Sequence, residues 1–225
     1  MSEKMKKELE YFYIGESYGG NQEWFQDHMM NIGGCGAVTA CDCCIYLARY
    51  RGLKFLYPGD ADHITRWDYL RFAGRMKPYL RPRKGGINTL EMFLEGFRGY
   101  LKDAEKLSKK RPAVEFRTVP GSSSFRQAAD AVIRQIDERL PVLCLTLHHS
   151  NPEMEDYVWH WFLLTGYECG GTSGNAGSES GSGMPVKVKA VTYGEYQWID
   201  FETLWDTGYE QKGGLILPYL SEAQG

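Results

Sequence analysis

Residues 33–48 read GGCGAVTACDCCIYLA, and this stretch decides the fold because the rest of the core must pack around it. From position 35 onward, apolar residues recur at spacings of one, three and four; they are Ala37, Val38, Cys41, Cys44, Ile45 and Ala48. That period is typical of a helix that buries a stripe along its length. The pattern predicts a helix of about four turns that begins at Cys35 and is ended by Gly52.

Cys35 stands at the predicted N-terminus of this helix, between glycines. The positive end of the helix dipole favours a thiolate over a thiol, and a thiolate is the form that attacks a carbonyl carbon. The glycines allow a sharp turn and leave room for a substrate. We interpret Cys35 as a candidate nucleophile; the alternative is a small buried residue at a helix start.

The rest of the chain places helices first and strands later. Further helices are predicted at 64–80, 88–109, 124–140 and 200–206, and strands at 113–119, 141–147, 157–165, 186–193, 196–199 and 214–217. Residues 186–199 look like a hairpin around Gly194 and Glu195. This order indicates an α+β fold of two lobes rather than an alternating parallel sheet. Residues 170–183 read GGTSGNAGSESGSG, which predicts a mobile surface insert.

Composition limits the classes of function. The 225 residues are 43% hydrophobic and 14% aromatic, enough for one domain with a sizeable core. The net charge of −3 gives no basic field, so we expect no nucleic-acid partner. No apolar run reaches about 18 residues, and Glu3, Glu8 and Glu10 interrupt the N-terminus, so we expect neither a membrane span nor a secretory signal.

Six cysteines are present, and four of them fall within ten residues on one predicted helix. Free thiols in a reducing compartment explain this arrangement better than disulfides, so we expect a cytoplasmic protein. Cys41, Cys43 and Cys44 do not have the spacing of a structural zinc site. With no phosphate loop and no dinucleotide fingerprint, the sequence predicts neither a metal nor another cofactor.

A cysteine nucleophile requires a base, and His160 is the strongest candidate among five histidines. It lies within an apolar strand, where an unpaired imidazole costs about 1–3 kcal/mol, so it must have a polar partner or face a cleft. Position 160 follows position 35 by 125 residues, close to the about 130–150 of papain-type enzymes. A core histidine bonded to a backbone carbonyl is the alternative.

Three stretches carry a resemblance to papain-like cysteine peptidases, and most of all to the group that processes bacteriocins at a double-glycine leader. They are YGGNQ at 18–22 with GGCG at 33–36, the helix and strand of 128–147, and WHWFLLTGY at 159–167. The resemblance implies a helical lobe at about 20–110 whose cysteine helix packs on an antiparallel sheet lobe at about 111–220. It implies a peptide or protein substrate and no cofactor; the oligomeric state stays open.

The resemblance also implies a glutamine that stabilises the oxyanion and an Asp or Asn that orients the histidine. Met29 stands where the family has its glutamine, so Gln22 is preferred, with Gln26 and Asn31 as alternatives. The strand that follows the His160 strand, predicted at 186–193, has neither Asp nor Asn.

Asp200 is the nearest downstream carboxylate and the preferred orienting residue, although it could instead cap the next helix. Thr192 or no residue at all could take its place.

These residues predict a peptidase or amidase in which Cys35 attacks a carbonyl, His160 moves the proton, and Gln22 with the Cys35 backbone N–H stabilises the oxyanion. Two alternatives remain. One is acyl transfer to an amine, as in transglutaminase-like or arylamine acetyltransferase-like enzymes. The other is a degenerate peptidase fold that only binds, which the missing Asp or Asn favours.

Overall fold

A computed structural model describes residues 5–108, 114–169 and 185–221. Within these ranges the chain combines helices with an antiparallel sheet, which is the predicted α+β class. The predicted insert at 170–183 lies outside the described residues. No helix among the described residues is both long and apolar enough to cross a membrane.

The helices of the first half of the chain are α1 to α4, and side chains cap the N-termini of α1 and α3. Their bounds are α1 His28–Gly33, α2 Cys35–Tyr50, α3 Arg66–Met76 and α4 Leu90–Ser108. The side chain of Asp27 caps α1, and Thr65 and Asp68 form a capping box at the start of α3. Helix α2 begins at Cys35 as predicted.

Helix α2 is the central helix of the molecule. Thirteen of its sixteen residues, 36 to 48, are buried, so nearly every face is covered rather than one stripe. Small residues such as Ala37, Ala40 and Cys44 let neighbouring elements approach closely. Because the helix is enclosed, Cys35 at its N-terminus is held firmly against the sheet.

The sheet is built mainly from the second half of the chain. Its strands run in the spatial order β4 Val114–Pro120, β9 Gly214–Leu220, β5 Val142–Thr146, β6 His160–Cys169, β7 Pro185–Thr192 and β8 Glu195–Asp200. All the pairs are antiparallel. Helix α5, Phe125–Asp137, follows a capping box of Ser124 and Gln127, and the short α6 spans Phe201–Trp205. Strand β6 is central, and its first residue is His160.

Several features differ from the predicted elements, among them β6, which begins at His160 instead of residue 157. A strand β1, Met5–Glu8, pairs with the second half of β6, and a small hairpin of β2 Tyr13–Ile14 and β3 Ser17–Tyr18 follows it. Helix α1 forms before Cys35, where no helix is predicted. The β7–β8 turn lies at Tyr193 and Gly194, both with positive φ, one residue before the expected position.

Candidate active site

Three of the four predicted site residues line one small cavity where α2 meets the sheet. Gln22 enters from a 3₁₀ turn before α1, Cys35 from the start of α2, and His160 from the start of β6. Asp42 and Thr192 also line this cavity. Its volume is about 10 Å³, about the space that one water molecule needs. The fold therefore brings together groups that are far apart in the sequence.

Glycines fix the position of Cys35. A Cβ added at Gly34 would lie 2.2 Å from the carbonyl oxygen of Met30, so only glycine lets α1 end this close to the start of α2. A Cβ added at Gly36 would lie 3.0 Å from Cδ1 of Ile87. The glycines on both sides of the cysteine thus serve the packing that places its sulfur.

Burial sets the protonation state of Cys35. The residue is partly exposed, yet desolvation by the surrounding protein raises the pKa of the thiol above its usual 9.0. Backbone hydrogen bonds to the sulfur from Trp161, Gly36 and Cys35 itself act in the opposite direction and are outweighed. Cys35 is therefore a thiol at neutral pH, which contradicts the expectation that the helix start holds it as a thiolate.

The contact with Trp161 also joins the cysteine to the histidine strand. The Trp161 backbone N–H bonds the Cys35 sulfur, and Trp161 directly follows His160. The indole Nε1 donates to the carbonyl oxygen of Ile87 at 2.6 Å, and the ring packs against Phe93. These contacts hold the start of β6 against the N-terminus of α2.

His160 is buried and held on two sides. Its Nε2 lies 2.6 Å from the Thr192 hydroxyl, and its ring stacks on Tyr193 with centroids 4.7 Å apart. The Tyr193 hydroxyl lies 3.5 Å from Nδ1. Burial lowers the pKa of His160 to about 4, so the imidazole is neutral at neutral pH and available as a base.

Thr192, and not Asp200, is the residue that the structure places on His160. The carboxylate of Asp200 accepts the backbone N–H of Thr203 at 2.7 Å and caps α6. In the β7–β8 ladder Thr192 pairs with Glu195, whereas Asp200 pairs with Lys187. Five residues of strand separate the two positions, about 17 Å. This geometry does not support the predicted orienting role of Asp200.

Gln22 is the one predicted oxyanion residue that lines the cavity. Its side-chain oxygen is buried and has no hydrogen-bond partner among the described residues. The segment that carries it is tied to the β7–β8 turn, because Asn21 Nδ2 donates to the carbonyl oxygen of Tyr193 at 2.9 Å. Gln26 is exposed, and Asn31 donates to the carbonyl oxygen of Glu23.

Sequence reasoning missed Asp42. It is buried in α2 and lines the cavity. Seven residues, or about two turns, separate it from Cys35, so both lie on one face of the helix. A single charged residue within the apolar run 37–48 was the available signal.

The other cysteines have no part in the cavity. Cys41, Cys43, Cys44 and Cys144 are buried, and burial raises the pKa of each thiol. All six cysteines are free. In the part of the chain that the structure describes, no three His, Cys, Asp or Glu side chains are grouped so as to hold a metal ion.

The chain matches no protein-family model and no curated protein. What the site can do therefore follows from its own residues. A thiol, a neutral imidazole and a glutamine side chain, whose NH₂ group can donate, line one cavity and are groups of the kind that nucleophilic attack on a carbonyl requires.

Proposed function

We propose that this chain is a cysteine hydrolase of papain-like fold that cleaves an amide bond, peptide or isopeptide, in a peptide or protein. The convergence of Cys35, His160 and Gln22 on one cavity carries the proposal. The buried Gln22 oxygen has no partner among the described residues, which costs free energy, and a substrate N–H could donate to it. Helix α2, which begins at Cys35 and packs on the antiparallel sheet, also suits the papain-like resemblance.

The chemistry begins from a neutral pair. Nε2–H of His160 donates to the Thr192 oxygen, which leaves Nδ1 with a lone pair. As the Cys35 sulfur attacks the carbonyl carbon, Nδ1 takes the thiol proton. The oxyanion accepts hydrogen bonds from the Gln22 amide and the Cys35 backbone N–H. The imidazolium then protonates the leaving amine, and the C–N bond breaks.

The second half of the reaction hydrolyses the thioester on Cys35 and releases the carboxylic acid product. His160 removes a proton from a water molecule, whose oxygen attacks the thioester carbonyl. The C–S bond breaks, and the proton returns to the Cys35 sulfur. The free thiols suit a reducing compartment, and we place the enzyme in the cytoplasm.

Acylation by p-nitrophenyl acetate tests the proposal. We expect one acetyl group per chain on Cys35, with release of p-nitrophenolate, followed by hydrolysis to free enzyme. Cys35→Ser and His160→Ala should lose this reaction, whereas Cys169→Ala, which changes another free cysteine, should retain it. Acetylation of wild type that is absent, or that proceeds equally in His160→Ala, would contradict the proposal. Fluorogenic peptide libraries then test amide cleavage.

A binding module is the second candidate, because the partner of His160 is a neutral hydroxyl and the cavity is small. It predicts a folded wild type that is not acetylated. Acyl transfer is tested in the same assay with an added primary amine. Acetylation of the amine in preference to hydrolysis would identify the amine as acceptor.

A further inference from the structure

Asp42 is a buried carboxylate that the proposed chemistry does not use. It is 4% exposed, lies in the middle of α2 and faces the cavity shared by Cys35 and Gln22. An ionised carboxylate in such a place must be satisfied by several donors. The identity of those donors points to what the residue does.

The donors come from the segment that leads to Gln22 and from two tyrosines. The Gly20 backbone N–H lies between the two carboxylate oxygens, 3.2 Å from Oδ1 and 3.1 Å from Oδ2. The hydroxyls of Tyr69 and Tyr11 donate to Oδ1 at 2.7 Å and to Oδ2 at 2.9 Å. Asp42 is thus bonded to the backbone two residues before Gln22.

The turn at Gly19 and Gly20 is fitted closely around this carboxylate. Gly19 has φ +82°, and a Cβ added there would lie 2.5 Å from Oδ2 of Asp42. A Cβ added at Gly20 would lie 1.9 Å from the Tyr69 hydroxyl. Both glycines are therefore needed to bring the backbone to the carboxylate.

We propose that Asp42 is a positioning residue for the oxyanion site: it holds the turn at Gly19 and Gly20 and thereby aims the Gln22 amide into the cavity beside Cys35. The inference rests on the proposed function. It assigns to Asp42 no contact with substrate; its effect passes through Gln22.

Asp42→Asn weakens this contact without changing the shape of the side chain. Because the Gly20 N–H lies close to both oxygens, either orientation of the asparagine amide leaves it one acceptor oxygen and sets an NH₂ group against it. The tyrosine hydroxyls can rotate and accept instead of donate. Tyr11→Phe is the matched control, since it removes a hydrogen bond to the same carboxylate and leaves the Gly20 contact in place.

Two reactions of Cys35 separate positioning from general damage. Acylation by p-nitrophenyl acetate develops an oxyanion, whereas alkylation by iodoacetamide does not. At pH 7.5 we expect Asp42→Asn to slow acylation about tenfold while alkylation stays near the wild-type rate. Tyr11→Phe should change neither reaction selectively. The double variant Gln22→Ala/Asp42→Asn should acylate no more slowly than Gln22→Ala alone.

Each outcome has a distinct meaning. A folded Asp42→Asn that acylates at the wild-type rate, or a double variant slower than Gln22→Ala, would overturn the positioning role and leave the proposed function intact. A wild type that is not acylated overturns the proposed function, and the inference falls with it. Equal loss of acylation and alkylation would show that Asp42 is merely structural.

Protonation of Asp42 provides a test that needs no variant at this position. Its carboxyl accepts hydrogen bonds from the Tyr11 and Tyr69 hydroxyls, and its charge acts on the neighbouring thiols of Cys41 and Cys43. Burial raises its pKa to about 6. A protonated carboxyl, like asparagine, has one good acceptor oxygen instead of two and no negative charge, so it holds the Gly20 N–H more weakly. The acylation rate of wild type relative to Gln22→Ala should therefore fall toward one between pH 7.5 and pH 5. A constant ratio would overturn the inference if the pH dependence of unfolding shows that Asp42 takes up a proton in this range.

Discussion

At the candidate site, burial keeps both side chains of the proposed catalytic pair, Cys35 and His160, neutral. Desolvation raises the pKa of the Cys35 thiol and lowers that of His160 to about 4. The two shifts act in the same sense, because each disfavours the charged form of its group. The proton must then move during the attack rather than before it.

The pH dependence of alkylation tests this resting state. We expect iodoacetamide to alkylate Cys35 slowly at pH 6 and faster at each higher pH, with a midpoint above 9, because only the thiolate reacts. Mass spectrometry of peptides gives the rate for each cysteine. A plateau already reached at pH 6 to 7 would instead indicate a thiolate–imidazolium pair.

Thr192 should control the function of His160. Thr192→Val keeps the shape of the side chain and removes the hydroxyl 2.6 Å from Nε2, whereas Thr192→Ser keeps the hydroxyl. We expect the valine variant to acylate at least about tenfold more slowly and to lose about 1–3 kcal/mol of unfolding free energy. The serine variant should retain most activity. Equal rates for the two variants would remove Thr192 from the site.

At the scale of elements, the junction of α1 and α2 determines where Cys35, the proposed nucleophile, lies. Gly34 belongs to both helix ends, and a Cβ added there would lie 2.2 Å from the Met30 carbonyl oxygen. A side chain added at Gly34 would strain this junction, and because α2 is enclosed on nearly every side, the helix as a whole cannot shift to relieve the strain. The added side chain must instead displace α1 or only the first turn of α2, which carries Cys35.

Gly34→Ala should therefore affect both stability and reactivity. An added methyl group would meet the Met30 carbonyl oxygen, and we expect a loss of about 1–3 kcal/mol in unfolding free energy together with slower acylation. Gly74→Ala is the matched control: Gly74 lies in α3 with no atom within 4 Å of an added Cβ. It should stabilise the protein by about 0.5–1 kcal/mol. Denaturant unfolding of both variants measures these changes, and an unaffected Gly34→Ala would contradict the packing argument.

The sequence predicts elements that carry their own periodic pattern. The α2 stripe and the apolar run of β6 are strong signals, and both elements form. Strand β1 reads MKKE and is exposed throughout, so it has no alternation to recognise and exists because β6 offers it an edge. Tyr193 occupies a left-handed position that a sequence rule assigns to glycine or asparagine, which explains the misplaced turn.

At the scale of the whole molecule, the site depends on register between distant segments. The sequence indicated Cys35 and His160 because each stands in a distinctive local setting, and the structure places both at one cavity; their catalytic roles stay predictions. The partner of His160 was not, because whether Thr192 or Asp200 faces it depends on the β6–β7 and β7–β8 pairing. Asp42 likewise gains its role only when the Gly20 segment folds back over α2.

Asp42 also links the site to the stability of the entire fold. Its pKa is about 6 in the folded protein, above its ordinary 3.8, so between these values the folded state binds more protons than the unfolded state. The contribution of this group to stability is therefore greatest below about pH 4 and is lost as the pH rises through 6. Two pKa units correspond to on the order of 3 kcal/mol.

Asp42→Asn removes this proton linkage and leaves the other titrating groups, His160 included, in place. The unfolding free energy of wild type minus that of Asp42→Asn should therefore increase as the pH is lowered from 7.5 to 4.5, because only wild type gains from protonating the buried carboxyl. Urea unfolding of both proteins at several pH values measures this difference, with Tyr11→Phe as a control that keeps the carboxyl. A difference that does not change with pH would mean that Asp42 keeps its charge throughout, and the turn before Gln22 would then stay fixed in acid as well.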